Sequence, residues 1–128
     1  MSRSSLVLAG VLAVSTDRTG VYAVEQAEAG KAIYAQKCAS CHRDSLAGGV
    51  NESPPLKGAQ FMAAWQGMPL RSLYSRILST MPKSDPGSLS EAETLNLLAY
   101  LLQENGFPPS TERSLKAQSL AAAIPGAR

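Results

Sequence analysis

The sequence predicts an all-α fold. Apolar residues recur at three- and four-residue spacing in several segments, a capping box opens the last of them, and no stretch alternates apolar and polar residues as a strand would. With 128 residues, 45% of them hydrophobic, the chain can build one domain around a modest core. Only 5% are aromatic, so a buried cofactor would supply apolar bulk that the side chains lack.

Residues 1–15 read as a signal peptide: Arg3 charges the start, Leu6 to Val14 (LVLAGVLAV) is apolar, and Ala13-Val14-Ser15 offers small residues for cleavage. Nine apolar residues are too few to span a bilayer, which takes ~20. No stable membrane span and a periplasmic location are therefore expected. Residues 16–22 read as a linker, 23–108 as the folded domain and 109–128 as a C-terminal tail.

The first helix is predicted from Ala23 to Cys38, with Ala27, Gly30, Tyr34 and Cys38 on one face. Gly30 costs about 1 kcal/mol against alanine in a helix, and close approach of a second helix is the usual reason for keeping it. Residues 43–58 are loop, marked by Gly48-Gly49, Asn51, Ser53 and Pro54-Pro55. A short helix over Ala59 to Gln66 carries Phe61, Met62 and Trp65, and Gly67 ends it. From about Pro69 to Thr80 an amphipathic helix places Leu70, Leu73, Tyr74, Ile77 and Leu78 inward, with Arg71, Ser72, Ser75, Arg76 and Ser79 in water. Met81-Pro82 breaks it, and Lys83 to Leu89 is a loop. The last helix opens on Ser90-Glu91-Ala92-Glu93 and stops at Asn105-Gly106. Its leucines at 95, 97, 98, 101 and 102 cover two faces, so it should be buried on more than one side. The tail holds apolar Leu115, Leu120 and Ile124, and the pattern leaves open whether it wraps the body.

Charge excludes one class of partner. The net charge is +2 with no basic run, so no nucleic-acid binding is expected. Two cysteines cannot build a disulfide framework, and one histidine excludes sites that need two.

Chemistry concentrates in Cys38-Ala39-Ser40-Cys41-His42, a C-x-x-C-H segment, the attachment signature of haem c. Thiols at i and i+3 can each add to one vinyl group, and the imidazole of the next residue then lies beneath the iron. A thioredoxin-like pair would follow a strand, and none is predicted. A zinc site would need a fourth ligand, and no further Cys or His exists. One covalent haem c is thus expected on Cys38 and Cys41, with His42 as metal ligand. Methionine is a common sixth ligand, and Met62, Met68 and Met81 are candidates. Met62 reads as core filler and Met68 falls in a tight turn. Met81 lies at a helix end before a loop that can curl over the haem edge, and position favours it.

The chain resembles the small class I cytochromes c, in particular those associated with bacterial quinoprotein (PQQ-dependent) alcohol dehydrogenases. Gly30-Lys31-Ala32-Ile33-Tyr34 matches the family's N-terminal helix, and Leu97-Leu98-Ala99-Tyr100-Leu101 its C-terminal helix. Pro54-Pro55-Leu56-Lys57-Gly58 resembles the G-P-x-L-x-G loop, Phe61 and Trp65 the F-x-x-x-W segment, and Ser79-Thr80-Met81-Pro82 with Pro86-Gly87-Ser88-Leu89 the axial-methionine loop. The resemblance implies a class I cytochrome c fold, three to five helices around one covalently bound haem. It implies that Tyr100 meets Gly30 and Tyr34 where the terminal helices cross, that the Pro54 carbonyl orients His42, that Trp65 packs near the haem, and that Met81 is the sixth ligand. Two positions depart from the pattern: Arg43 and Ser53 stand where the family often has glycine.

The resulting expectation is a periplasmic single-electron carrier, His/Met-ligated and not an enzyme. Its partners would be redox proteins, with a PQQ-dependent dehydrogenase as donor and an oxidase as acceptor. The alternatives are a haem subunit within a quinoprotein dehydrogenase complex and a haem-based ligand binder or sensor with an open sixth position.

Overall fold

The structure, a computed structural model, describes residues 20–125. The expected signal peptide lies outside the described residues, as does the linker up to residue 19. The described chain forms helices α1 (Val24–Lys37), α2 (Ala39–His42), α3 (Ala59–Trp65), α4 (Leu70–Thr80) and α5 (Glu91–Glu104), with 3-10 turns at Val50–Glu52 and Ala117–Ala121. Among the described residues there is no strand, only an isolated bridge between Pro69 and Ala123. The all-α expectation holds.

The body is organised by the crossing of α1 over α5. Ala27, Gly30 and Tyr34 form the buried face of α1, one turn apart. Gly30 sits at the closest point: a Cβ there would lie 2.6 Å from the backbone carbon of Asn96 and 2.9 Å from Tyr100 Cβ. Tyr34 and Tyr100 pack beside it with ring centroids 5.4 Å apart, tilted by 50°, a favourable aromatic geometry. Helix α5 starts as its sequence requires. Ser90 Oγ accepts from Glu93 N at 3.0 Å, and Ser90 N donates to Glu93 Oε1 at 2.9 Å. That backbone hydrogen bond is the main reason the Glu93 carboxyl lies below its usual range. Thr94 and every residue from Leu97 to Leu102 are buried, so α5 is the core element. Each buried leucine there contributes roughly 1.5–3 kcal/mol by leaving water.

Helix α4 turns Leu70, Leu73 and Ile77 inward and leaves Arg71, Ser75, Arg76 and Ser79 exposed. Met81 N–H still donates to Ile77 O at 3.1 Å, but Pro82 has no N–H to continue the helix.

The tail wraps the body. Leu115, Leu120 and Ile124 are buried. Gln26 on α1 holds Leu115 from both sides, donating to its carbonyl at 3.0 Å and accepting from its N–H at 2.8 Å. Ile124 exchanges backbone bonds with the turn before α4, accepting from Gly67 N at 2.8 Å and donating to Met68 O at 2.7 Å. Residues 20–22, which the sequence places at the end of a linker, belong to the same packing. Tyr22 is fully buried, its hydroxyl donates to Phe107 O at 2.5 Å, and its carbonyl accepts from Ser110 N at 2.7 Å. Burial raises the Tyr22 hydroxyl to about 12, which keeps it a neutral donor.

Candidate haem site

A cavity of about 590 Å³ opens beside the α1–α5 crossing, within the ~300–1,000 Å³ common for small-molecule and cofactor sites. All six residues singled out from sequence line it: Cys38, Cys41, His42, Pro54, Trp65 and Met81. Leu73 and Ile77 of α4 and Leu97 and Leu101 of α5 supply apolar wall.

Cys38 ends α1 and its N–H donates to Tyr34 O at 2.9 Å, so the motif continues the helix almost without a break. One turn of α2 then places Cys41 and His42. Both cysteines are free thiols, partly buried. Burial pushes the Cys38 thiol up to about 11, and the neighbouring Lys37 offsets this only in part. In the apoprotein that sulfur is therefore a protonated thiol.

His42 is buried at 7% exposure. Its Nδ1 lies 2.9 Å from Pro54 O. A carbonyl only accepts, so Nδ1 carries the proton and Nε2 keeps a free lone pair. No protein group among the described residues bonds to Nε2, on a ring that lines the cavity. A buried, unpartnered nitrogen lone pair is costly unless something outside the chain binds it. Two thiols, that imidazole and an apolar cavity of this size fit a haem attached by two thioethers.

Of the three candidate methionines, Met81 alone lines the cavity. Met62 is buried in the core at 7% exposure, and Met68 is 42% exposed. Trp65 carries the Arg76 guanidinium over its ring at 5.9 Å from the centroid. Arg76, Lys37 and Lys83 give the lining its positive charge.

Contacts that sequence reasoning missed concern support, not ligation. Tyr34 hydroxyl donates to Arg43 O at 2.6 Å, and burial holds its phenol far above the ordinary tyrosine range. Asn105 links the end of α5 to the loop behind Pro54: its amide donates to Leu56 O at 3.0 Å and to Leu101 O at 2.8 Å, and its oxygen accepts from Gly58 N at 2.9 Å. The helix-stop signal Asn105-Gly106 identifies this residue but not its loop partner. Lys57 pairs with Glu104 at 3.5 Å, with the lysine half exposed, and contributes little.

Fold and cavity together define a protein that carries covalent haem inside a small helical domain. Residues 25–101 match the family described as "Cytochrome C oxidase, cbb3-type, subunit III". The chain belongs to this cytochrome c family and binds haem c covalently, as an electron-transfer haem protein. Among curated proteins it is 38% identical over 77 residues to a thiosulfate dehydrogenase of Stutzerimonas stutzeri (strain A1501), covering 56% of this chain and 25% of that protein. The chain thus spans about a quarter of that relative's length. Among solved structures it matches the crystal structure of the sulfane dehydrogenase SoxCD from Paracoccus pantotrophus. The TM-score is 0.61 at 23% identity, covering 98% of this chain and 68% of that one. That likeness shows the fold, an all-α class I cytochrome c fold.

Proposed function

We propose that this chain is a periplasmic single-electron carrier, ligated by His42 and Met81, that catalyses no reaction of its own. When bound, the haem supplies one-electron chemistry between ferric and ferrous iron. The observation that carries the reading is the His42–Pro54 contact of 2.9 Å, which leaves Nε2 free on a cavity that Met81 also lines. Cys38 and Cys41 tether the group, His42 and Met81 set its potential, and the apolar wall excludes water.

The donor is proposed to be an exported dehydrogenase and the acceptor a respiratory oxidase. Two kinds of donor have separate support. The Trp65 segment and the Met81–Leu89 loop resemble cytochromes associated with PQQ-dependent alcohol dehydrogenases. The 38% identity to a thiosulfate dehydrogenase supports a donor that oxidises sulfur compounds. In either case Arg76 and Lys83 at the cavity, with exposed Arg71 on the helix that carries Arg76, suit brief docking of an acidic partner. The test is stopped-flow mixing of ferric cytochrome with each substrate-reduced dehydrogenase from the same source. Fast reduction that slows with added salt identifies the donor. If neither reduces it quickly at any ionic strength, the dehydrogenase assignment is dropped. A high-spin ferric spectrum without a methionine–iron band would instead favour a ligand binder.

A further inference from the structure

The contact that orients His42 comes from a loop with unusual backbone. Between residues 43 and 52, four residues other than glycine have positive φ: Arg43 at 70°, Leu46 at 64°, Asn51 at 53° and Glu52 at 63°. Left-handed backbone is unfavourable for residues that carry a side chain, and such strain persists only where surrounding contacts fix it. The loop therefore does not hold its own shape. Something must keep the Pro54 carbonyl on His42.

Two side chains do so, those of Ser53 and Arg43. Ser53 Oγ donates to Cys41 O at 2.6 Å and accepts from Gly49 N at 3.2 Å. It ties the residue before Pro54 directly to the residue before His42. Arg43 folds back over the loop, and its Nε donates to Gly48 O at 2.8 Å. Gly48 is where the two arms of the loop touch: a Cβ there would lie 2.6 Å from Pro54 C and O, and its N–H donates to His42 O at 2.9 Å. Pinning Gly48 therefore backs the Pro54 carbonyl from behind.

We infer that Ser53 and Arg43 are positioning residues for His42, bracing the 43–54 loop so that the Pro54 carbonyl stays hydrogen-bonded to Nδ1–H. The inference rests on the reading of His42 as the proximal ligand. A firm bond from Nδ1–H to a carbonyl raises the basicity of Nε2 and so favours ferric iron. Loosening the brace lowers that basicity and raises the reduction potential.

The experiment uses the holoprotein and three variants: Ser53→Ala, Ser53→Thr and Arg43→Met. Two quantities are read, the exchange rate of the His42 Nδ1–H by NMR and the midpoint potential. Losing the Ser53 bond should speed ring N–H exchange roughly fivefold to tenfold, the effect of one ordinary hydrogen bond, and shift the potential upward. Ser53→Thr keeps the hydroxyl and should restore both. Arg43→Met should speed the exchange. Its potential is not diagnostic, because removing the positive charge acts in the opposite direction. If Ser53→Ala yields no holoprotein, exchange in Arg43→Met decides alone. Unchanged exchange and potential in Ser53→Ala, with only a lower melting temperature, would overturn the inference by making the brace purely structural. A wild-type ferric protein with no hyperfine shift on the His42 ring would overturn the ligand reading itself, which is a distinguishable failure.

Discussion

Gly30→Ala isolates the helix crossing that organises both core and cavity. The new Cβ would lie 2.6 Å from the backbone carbon of Asn96 and 2.9 Å from Tyr100 Cβ, where carbon atoms normally stand about 3.5–4.0 Å apart. The first obstacle is backbone within a buried helix, which cannot rotate away. The helices must separate locally by about 1 Å to regain ordinary contact. Overpacking of this kind costs ~1–3 kcal/mol, and a backbone obstacle places it at the upper end. Alanine returns about 0.8–1.0 kcal/mol of helix propensity. The expected net loss is ~2 kcal/mol, a fall in melting temperature of roughly 8 °C or more for a domain of this size. The displacement also reaches the site, because α1 ends at Cys38 and α5 presents Leu97 and Leu101 to the cavity. Thermal unfolding followed by circular dichroism, with the haem absorption spectrum recorded on the same samples, tests both effects. A variant stabilised by about 1 kcal/mol would show the propensity gain unopposed and refute the crossing argument.

Haem should remain with the denatured chain after acid–acetone extraction, seen by mass, and replacing both Cys38 and Cys41 by alanine should prevent stable holoprotein. Met81→Ala should abolish the methionine–iron band and lower the potential, whereas Met68→Ala should leave the band intact, as absorption spectroscopy and redox titration will show. Gln26→Ala removes both bonds to Leu115 and should cost ~1–3 kcal/mol in denaturant unfolding, because the backbone groups of a buried residue lose their partners.

The parts legible in the sequence were those written in local chemistry. The Ser90 capping box, the inward stripe Leu70–Leu73–Ile77 and the stop at Met81-Pro82 are short-range signals, and the helices begin and end within a residue or two of where those signals put them. Gly30 was legible for a different reason, since a glycine inside a helix that could hold alanine implies a neighbour too close for a methyl group. The tail was not legible. Gln26 meeting Leu115 depends on a separation of 89 residues, and one glutamine on a helix carries no mark of its distant partner. Tyr22 was hidden in the same way, because its carbonyl and hydroxyl find partners only after the tail returns. At the site, residue types with strong chemistry declared themselves, whereas Asn105 and Tyr34 act through backbone carbonyls and have no such signature.

This difference matters for how the site keeps its geometry. Helix α2 has four residues, far below the ~12–15 at which an isolated helix becomes even marginal. It cannot hold His42 at a fixed angle by its own hydrogen bonds. The turn is held from three directions instead: Tyr34 hydroxyl on Arg43 O, Ser53 hydroxyl on Cys41 O, and the Pro54 carbonyl on the imidazole. Each of the three ends on a backbone or ring atom within two residues of His42, and Tyr34 reaches it from the α1–α5 crossing. Rigidity therefore passes from the packed helices to the histidine through Tyr34, while the loop adds the bond that fixes the tautomer. Two thioethers on Cys38 and Cys41 would close the remaining side. A redox centre benefits from this arrangement because a ligand set that moves little between ferric and ferrous states leaves little to reorganise when the electron is transferred.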